Sequence, residues 1–172
     1  DEDGSGSTML SGSDVDGDDL TYSISGGTEI TATLDGSALT FTASQDFNGS
    51  ESFTATITDG EFSASQTFTV TVNAINDAPT LAAVSTTSFG EDSSTSITLS
   101  GSDIDGDGLS YSVSGGTDIT ATVDGFTVTF TASTNFSGSE DFIATVTDGD
   151  LSGSQSFTVT VTPVNDAPTL AA

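Results

Sequence analysis

The sequence is written twice. Residues 1–83 align with residues 90–172 without a gap and agree at 56 positions. SDVDGDDLTYSISGGTEITAT at 13–33 returns as SDIDGDGLSYSVSGGTDITAT at 102–122. An offset of 89 residues sets the size of the folding unit, which must close its own small core and then repeat. NDAPTLAA stands at 76–83 and again at 165–172, so it links one copy to the next and its second occurrence reads as the opening of a further repeat. VSTTSF at 84–89 has no counterpart before the first copy. The chain therefore reads as a two-repeat window of a longer array. Repeat 1 takes 1–77 and is truncated at its start, repeat 2 takes 78–166, and 167–172 begins another.

Within each copy the apolar period is two, which specifies strands and not helices. In repeat 2, Ile97 and Leu99 alternate with polar residues, as do Leu109, Tyr111 and Val113, and then Ile119, Ala121 and Val123. The pair Asp124-Gly125 marks a tight hairpin turn, followed by Phe126, Val128 and Phe130. Phe142, Ala144 and Val146 form the next set, and Phe157, Val159 and Val161 the last. With an edge segment after Pro79, seven strands fit each unit. The expectation is all-β: two tandem seven-stranded antiparallel β-sandwiches with immunoglobulin-like Greek-key connections.

Composition limits the chemistry more sharply than the fold. There are 26 Asp plus Glu and no Lys, Arg or His, for a formal net charge of -26. A chain with no side-chain cation has nothing to hold phosphates or anionic lipid, so nucleic-acid and membrane-surface binding are excluded. No apolar run approaches the roughly 18 residues of a membrane span. With neither His nor Cys there is no Ser-His relay, thiolate, zinc site or disulfide. High charge beside 33% hydrophobic content is a composition that often goes with disorder. Here, however, the charge is clustered, and Ser plus Thr, 59 of 172 residues, supply the polar side of the strand pattern.

The sharpest cluster is Asp14, Asp16 and Asp18 in DVDGD, repeated as Asp103, Asp105 and Asp107 in DIDGD. Carboxylates at alternate positions around a glycine let a bent loop aim several oxygens at one hard cation. Calcium takes six to eight oxygens, so three carboxylates need help. The glycine position and the absence of a closing Glu separate the pattern from an EF-hand, and a solvated acidic turn is the plain alternative. Further oxygens stand at Glu2 and Glu91 before the second strand, Asp59 and Asp148 after the sixth, and Asn76-Asp77 and Asn165-Asp166 in the linkers. In a seven-stranded sandwich the linker meets the loops at the top of the following domain. The complete junction could gather Glu2, Asn76, Asp77, Asp103, Asp105 and Asp148, whereas Glu91 falls by the outgoing linker of its own domain.

In that order, and twice over, DxDGDxLTYSISGG, a later TxTDG and the NDAP linker resemble cadherin repeats. The resemblance is closest to the cadherin-like tandem repeats of giant secreted bacterial adhesins, and it covers essentially the whole chain. It implies Ca2+ at domain junctions, an extracellular or cell-surface setting, and a rod-like array. By family role Glu2, Asn76, Asp77, Asp103, Asp105 and Asp148 would be the junction ligands. The pattern departs at Ala74 and Pro163, where cadherins carry an Asp two residues before the linker Asn. It departs again at Asp46 and Asn48, and at Asn135 and Ser137, which only weakly match an acidic pair. Both departures remove oxygens, so one or two ions per junction are expected in place of three.

The expected function is a calcium-binding structural spacer in a bacterial adhesin. Its partners are calcium and neighbouring repeats, with cell-surface or polysaccharide ligands reached through other domains; the fragment is expected to be monomeric and non-enzymatic. A carbohydrate-binding module is the alternative, which an exposed aromatic on a face or loop would favour. Homophilic adhesion is a third, opposed by the self-repulsion of so negative a surface. Thr-x-Thr runs such as 69–71 read as the wet face of a sandwich and not an ice-binding face. The sequons at Asn48 and Asn135 sit where turns are needed. Glu51 and Glu140 imitate a glycosidase pair, but their tandem duplication suits structure better than catalysis.

Overall fold

In the computed structural model, residues 1–168 and 170 are described. The expected opening of a further repeat at 167–172 falls in part on Thr169, Ala171 and Ala172, outside the described residues. The chain divides into two units, Asp1–Ile75 and Asn76–Ala172. All regular structure among the described residues is β.

Unit 1 contains β1 (Ser5–Met9), β2 (Thr21–Gly26), β3 (Ile30–Asp35), β4 (Ala38–Ala43), β5 (Gly49–Thr58) and β6 (Ser63–Val72). They form two three-stranded sheets, ordered β1-β4-β3 and β2-β5-β6. In β4 burial alternates residue by residue, with Leu39 and Phe41 buried between exposed Ala38, Thr40 and Thr42. Period two thus sends one side of each strand into a core of Ile30, Leu39, Phe41, Phe53 and Val72. On the wet side Ser and Thr hydroxyls pair across strands, as Ser50 with Thr71 at 2.8 Å and Thr56 with Ser65 at 2.8 Å. These cross-strand pairs account for the Thr-x-Thr runs.

Unit 2 contains β7 (Thr80–Leu81), β8 (Thr87–Gly90), β9 (Ser94–Thr98), β10 (Gly101–Ser102), β11 (Ser110–Gly115), β12 (Ile119–Asp124), β13 (Thr127–Ala132), β14 (Gly138–Thr147) and β15 (Ser152–Thr162). The seven expected strands are present, with the first split into β7 and β8 and the second into β9 and β10. β7 pairs with β10, while β8 crosses to the four-stranded sheet β11-β14-β15-β8 and the third group is β12-β13-β9. The first strand therefore belongs to both sides of the sandwich.

One pair is not antiparallel: β8 runs parallel to β15, with Val161 opposite Phe89. In a seven-strand alternating path the first and last strands point the same way, so when they meet they can only be parallel. The hairpin at Asp124-Gly125 is also shifted by one residue. Asp124 pairs with Thr127, so the turn residues are Gly125 and Phe126, with Gly125 at φ 59°. Phe126 is thereby turned out, against the expectation that it continues the inward row.

The unit 2 core is richer than that of unit 1, with Leu81, Phe89, Leu99 and Val159 joining the Phe130, Phe142 and Phe157 cluster. Phe130 meets Phe142 edge-on at 5.3 Å, and Phe142 stacks on Phe157 at 5.9 Å.

Candidate metal centre and the family it belongs to

The DIDGD loop of unit 2 follows β10 and turns on itself. Asp103 Oδ1 accepts the N–H groups of Asp105 at 3.0 Å and Asp107 at 3.2 Å, and Gly106 supplies the left-handed step at φ 81°. This local ring engages only one of the two oxygens of Asp103. The other, Oδ2, is buried and has no hydrogen-bond partner. Asp103, Asp105 and Asp107 each offer an oxygen within 4.8 Å of the others. A buried carboxylate oxygen without a donor is costly, and in a chain without side-chain cations it fits a metal ligand.

Two further expected residues attach to the same end of unit 2. Asp77 N donates to Asp105 Oδ2 at 2.8 Å, and Asn76 Nδ2 donates to Asp148 Oδ2 at 3.0 Å. Asp148 Oδ1 also accepts the N–H groups of Asp150 and Leu151, each at 2.7 Å. The Leu151 N–H first, then the Asn76 amide, hold the Asp148 carboxyl below the usual carboxylate range. Asp148 is thus kept ionised while its turn is closed.

The same loop in unit 1 is built alike but gathers less. Asp14 Oδ1 accepts from Asp16 at 2.8 Å, Gly17 at 3.0 Å and Asp18 at 3.3 Å. Among the described residues, however, Asp14, Asp16 and Asp18 form no group of three oxygens close enough to share an ion. Asp59 accepts from Glu61 and Phe62 at 2.7 Å, which together lower its pKa, and it lines a 190 Å³ hollow with Asp14.

Glu2 and Glu91 play matching parts at the other end of each unit. Both are buried, at 5% and 8% exposure. Glu91 N donates to Thr162 O at 2.9 Å, and its carboxylate accepts Val164 N at 2.6 Å; Glu2 does the same with Asn73 O and Ile75 N. Each glutamate fastens the outgoing segment to the start of its own unit. Asn165 and Asp166 are exposed, and Asn165 Nδ2 donates to Asp166 O at 3.2 Å.

Glu51 and Glu140, set aside in the sequence, are anchors. Glu140 accepts the N–H groups of Thr117, Asp118 and Ile119 at 2.8–3.1 Å, and Glu51 those of Thr28, Glu29 and Ile30 over the same range. Gly27 and Gly116, at φ 80° and 73°, shape the receiving loop, and a Cβ on Gly27 would strike the Ile30 carbonyl and the Phe53 ring. The signal that could have found these anchors is Gly-Gly-Thr ahead of each loop, a run of free N–H donors seeking an anion. Two aromatics are exposed: Phe62 at 71%, and Phe126 at 59% beside Tyr111 and Leu109.

The comparisons follow the same division of the chain. The model of the bacterial Ig domain family matches residues 1–73 and again 76–162. No curated protein matches the sequence. Among solved structures, human protocadherin-24 EC1-2 is 19% identical in one crystal form, over 94% of this chain and 88% of its own, with a TM-score of 0.58. A second form is 17% identical over 92% and 88%, at 0.55. An endo-fucoidan hydrolase from glycoside hydrolase family 107 is 21% identical over 95% of this chain, with a TM-score of 0.43. This chain covers 27% of that hydrolase, about a quarter of its length. The cadherin likeness is one of fold. With its model matched twice in tandem, the chain belongs to the bacterial Ig domain family.

Proposed function

We propose that these domains are calcium-binding structural spacer repeats of a secreted or surface-attached bacterial adhesin. The observation that carries the reading is the buried, donorless Oδ2 of Asp103 beside Asp105 and Asp107. An all-oxygen, all-anionic donor set suits a hard divalent cation, and calcium accepts irregular loops of this kind more readily than magnesium. Asp103, Asp105 and Asp107 would hold the ion, with Asn76, Asp77 and Asp148 available from the same unit. The resemblance to cadherin repeats adds Glu2 from the preceding repeat, and Glu91 with Asp166 toward a following one. Bound there, calcium would neutralise like charges at the linker and stiffen the array. The role is non-catalytic: Glu51 and Glu140, the nearest imitation of an acid pair, are each engaged by three backbone donors.

Titration calorimetry with calcium tests binding, and small-angle scattering before and after chelation tests stiffening. The expected results are one or two sites, and a narrower spread of maximum dimensions with calcium. Binding that leaves the scattering unchanged would remove the spacer mechanism while keeping the metal site.

A second reading rests on Phe126. An exposed ring beside Tyr111 can stack on a sugar, and repeat 1 has Ser37 at that position as an internal control. Affinity electrophoresis in acidic and neutral polysaccharide gels, wild type against Phe126→Ala, decides it: retardation lost in the variant supports a carbohydrate-binding module.

A further inference from the structure

The DIDGD loop of unit 2 has a neck, and a tyrosine closes it. The loop enters from β10 and leaves into β11. β10 pairs with β7 and β11 with β14, so among the described residues no backbone ladder joins the two arms. A side chain makes the joint instead. Tyr111, on the outgoing arm, reaches back 10 residues, and its hydroxyl oxygen accepts Gly101 N–H at 2.9 Å.

The bond answers a gap in the strand pairing. The ladder of β9 on β13 ends at Thr98, and the next bond, Leu99 N–H to Phe126 O at 2.8 Å, already falls at the hairpin turn. Ser100 turns its carbonyl the other way, to Ala82 N at 2.8 Å. Alternation then returns Gly101 N–H to the side of Leu99, one step beyond the last carbonyl of that ladder. The Tyr111 hydroxyl takes the place of the missing acceptor. Gly101 admits the approach: a Cβ there would lie 3.2 Å from the hydroxyl, 3.2 Å from Val146 and 3.1 Å from Thr80 O.

We propose that Tyr111 is a positioning residue of the calcium site, an inference that rests on the calcium reading above. Asp103 follows Gly101 on the incoming arm, and Asp107 precedes Tyr111 on the outgoing one. Their oxygens lie within 4.8 Å of each other and of Asp105, in a chain with no side-chain cation to offset the repulsion. A loop spread by that repulsion would have to be drawn together by the ion, with loss of affinity, whereas a closed neck holds the oxygens ready. The hydroxyl acts through Gly101: it fixes the backbone from which Asp103 presents its donorless Oδ2. The same bond keeps a phenol within two residues of Asp103 along the backbone, near enough to pass excitation energy to a luminescent ion held there.

Tyr111→Phe keeps the ring and deletes the bond. Titration calorimetry of the full 172-residue chain should then show the tightest calcium site weakened about tenfold or more. A hydroxyl that served the fold alone would lower the melting midpoint in EDTA and leave calcium affinity where it was, and that result overturns the proposal. The second arm keeps the hydroxyl. The chain has two Tyr and no Trp, so Tyr22→Phe leaves Tyr111 as the sole donor of tyrosine excitation. Terbium bound in that variant should emit on tyrosine excitation, and calcium should displace it. Silence while calorimetry shows terbium bound puts the ion away from Tyr111 and overturns the proposal, even where Tyr111→Phe does not fold. A wild-type chain that binds neither ion removes the calcium reading itself and the positioning role with it, a result distinct from calcium that binds regardless of the hydroxyl.

Discussion

Glu140 accepts the backbone N–H of Ile119 at 2.8 Å, so a carboxylate near the start of β14 fixes the residue that opens β12. Burial pushes the Glu140 carboxyl up. The N–H groups of Thr117, Asp118 and Ile119 outweigh that and hold it below its ordinary value of 4.5. A depressed folded pKa means the anchor stabilises fully above the unfolded value and loses its effect as pH falls through the lower, folded one. Glu140→Gln should cost on the order of 1–2 kcal/mol at neutral pH, allowing for solvent screening. The gap between variant and wild type should close as pH drops below 4.5. Denaturant unfolding at a series of pH values reads this directly, and a gap that does not change with pH would contradict it.

Calcium should raise the thermal stability of the fragment. An ion at a hundredfold its dissociation constant contributes about 2.7 kcal/mol per site. Melting in millimolar calcium and again in EDTA should separate by many degrees, and coincident curves would exclude a folded-state site.

The two DxDGD loops should not be equivalent. Asp103, Asp105 and Asp107 converge within 4.8 Å, while the unit 1 loop does not gather its three carboxylates. Asp105→Ala should abolish the tightest calcium site in calorimetry, and Asp16→Ala should affect only a looser one. Equal losses would mean that each loop binds by itself.

Matched phenylalanines should differ in worth. Phe157 is buried at 5% exposure and packs against Phe130 and Phe142, each at 5.9 Å, whereas Phe68 is half-buried against Phe41 and Phe53. Phe157→Ala should cost about 3–5 kcal/mol, and Phe68→Ala clearly less. Unfolding followed separately for each unit checks the order.

The sandwich was legible because alternation survives wherever a strand is long enough to bury several residues on one side. Ile119 through Val123 and Phe142 through Val146 announce their own direction. β7 and β10 have two residues each, too short for any period, and β8 offers only Phe89 as a buried apolar position. Their pairing is decided by distant partners, so the split of the first strand between sheets could not be read. The position of Phe126 depended on one residue of turn register, which a Gly in the turn does not by itself fix. For the acidic residues, spacing marked the DIDGD loop as a unit, but which oxygen lacks a donor depends on how the turn closes. Glu51 and Glu140 were harder to read for a related reason: their partners are backbone groups, which every residue carries, so only the Gly-Gly-Thr run at each receiving loop marks them.

The parallel register of β8 on β15 has a mechanical meaning. One of these strands lies at the entrance of unit 2 and the other at its exit, and they run the same way through four paired positions. Tension applied to the two ends pulls the strands past each other lengthwise, so the ladder is loaded in shear and its bonds share the force instead of opening one at a time. β6 of unit 1 has no such partner among the described residues. In single-molecule pulling, unit 2 should rupture at the higher force and unit 1 should yield first.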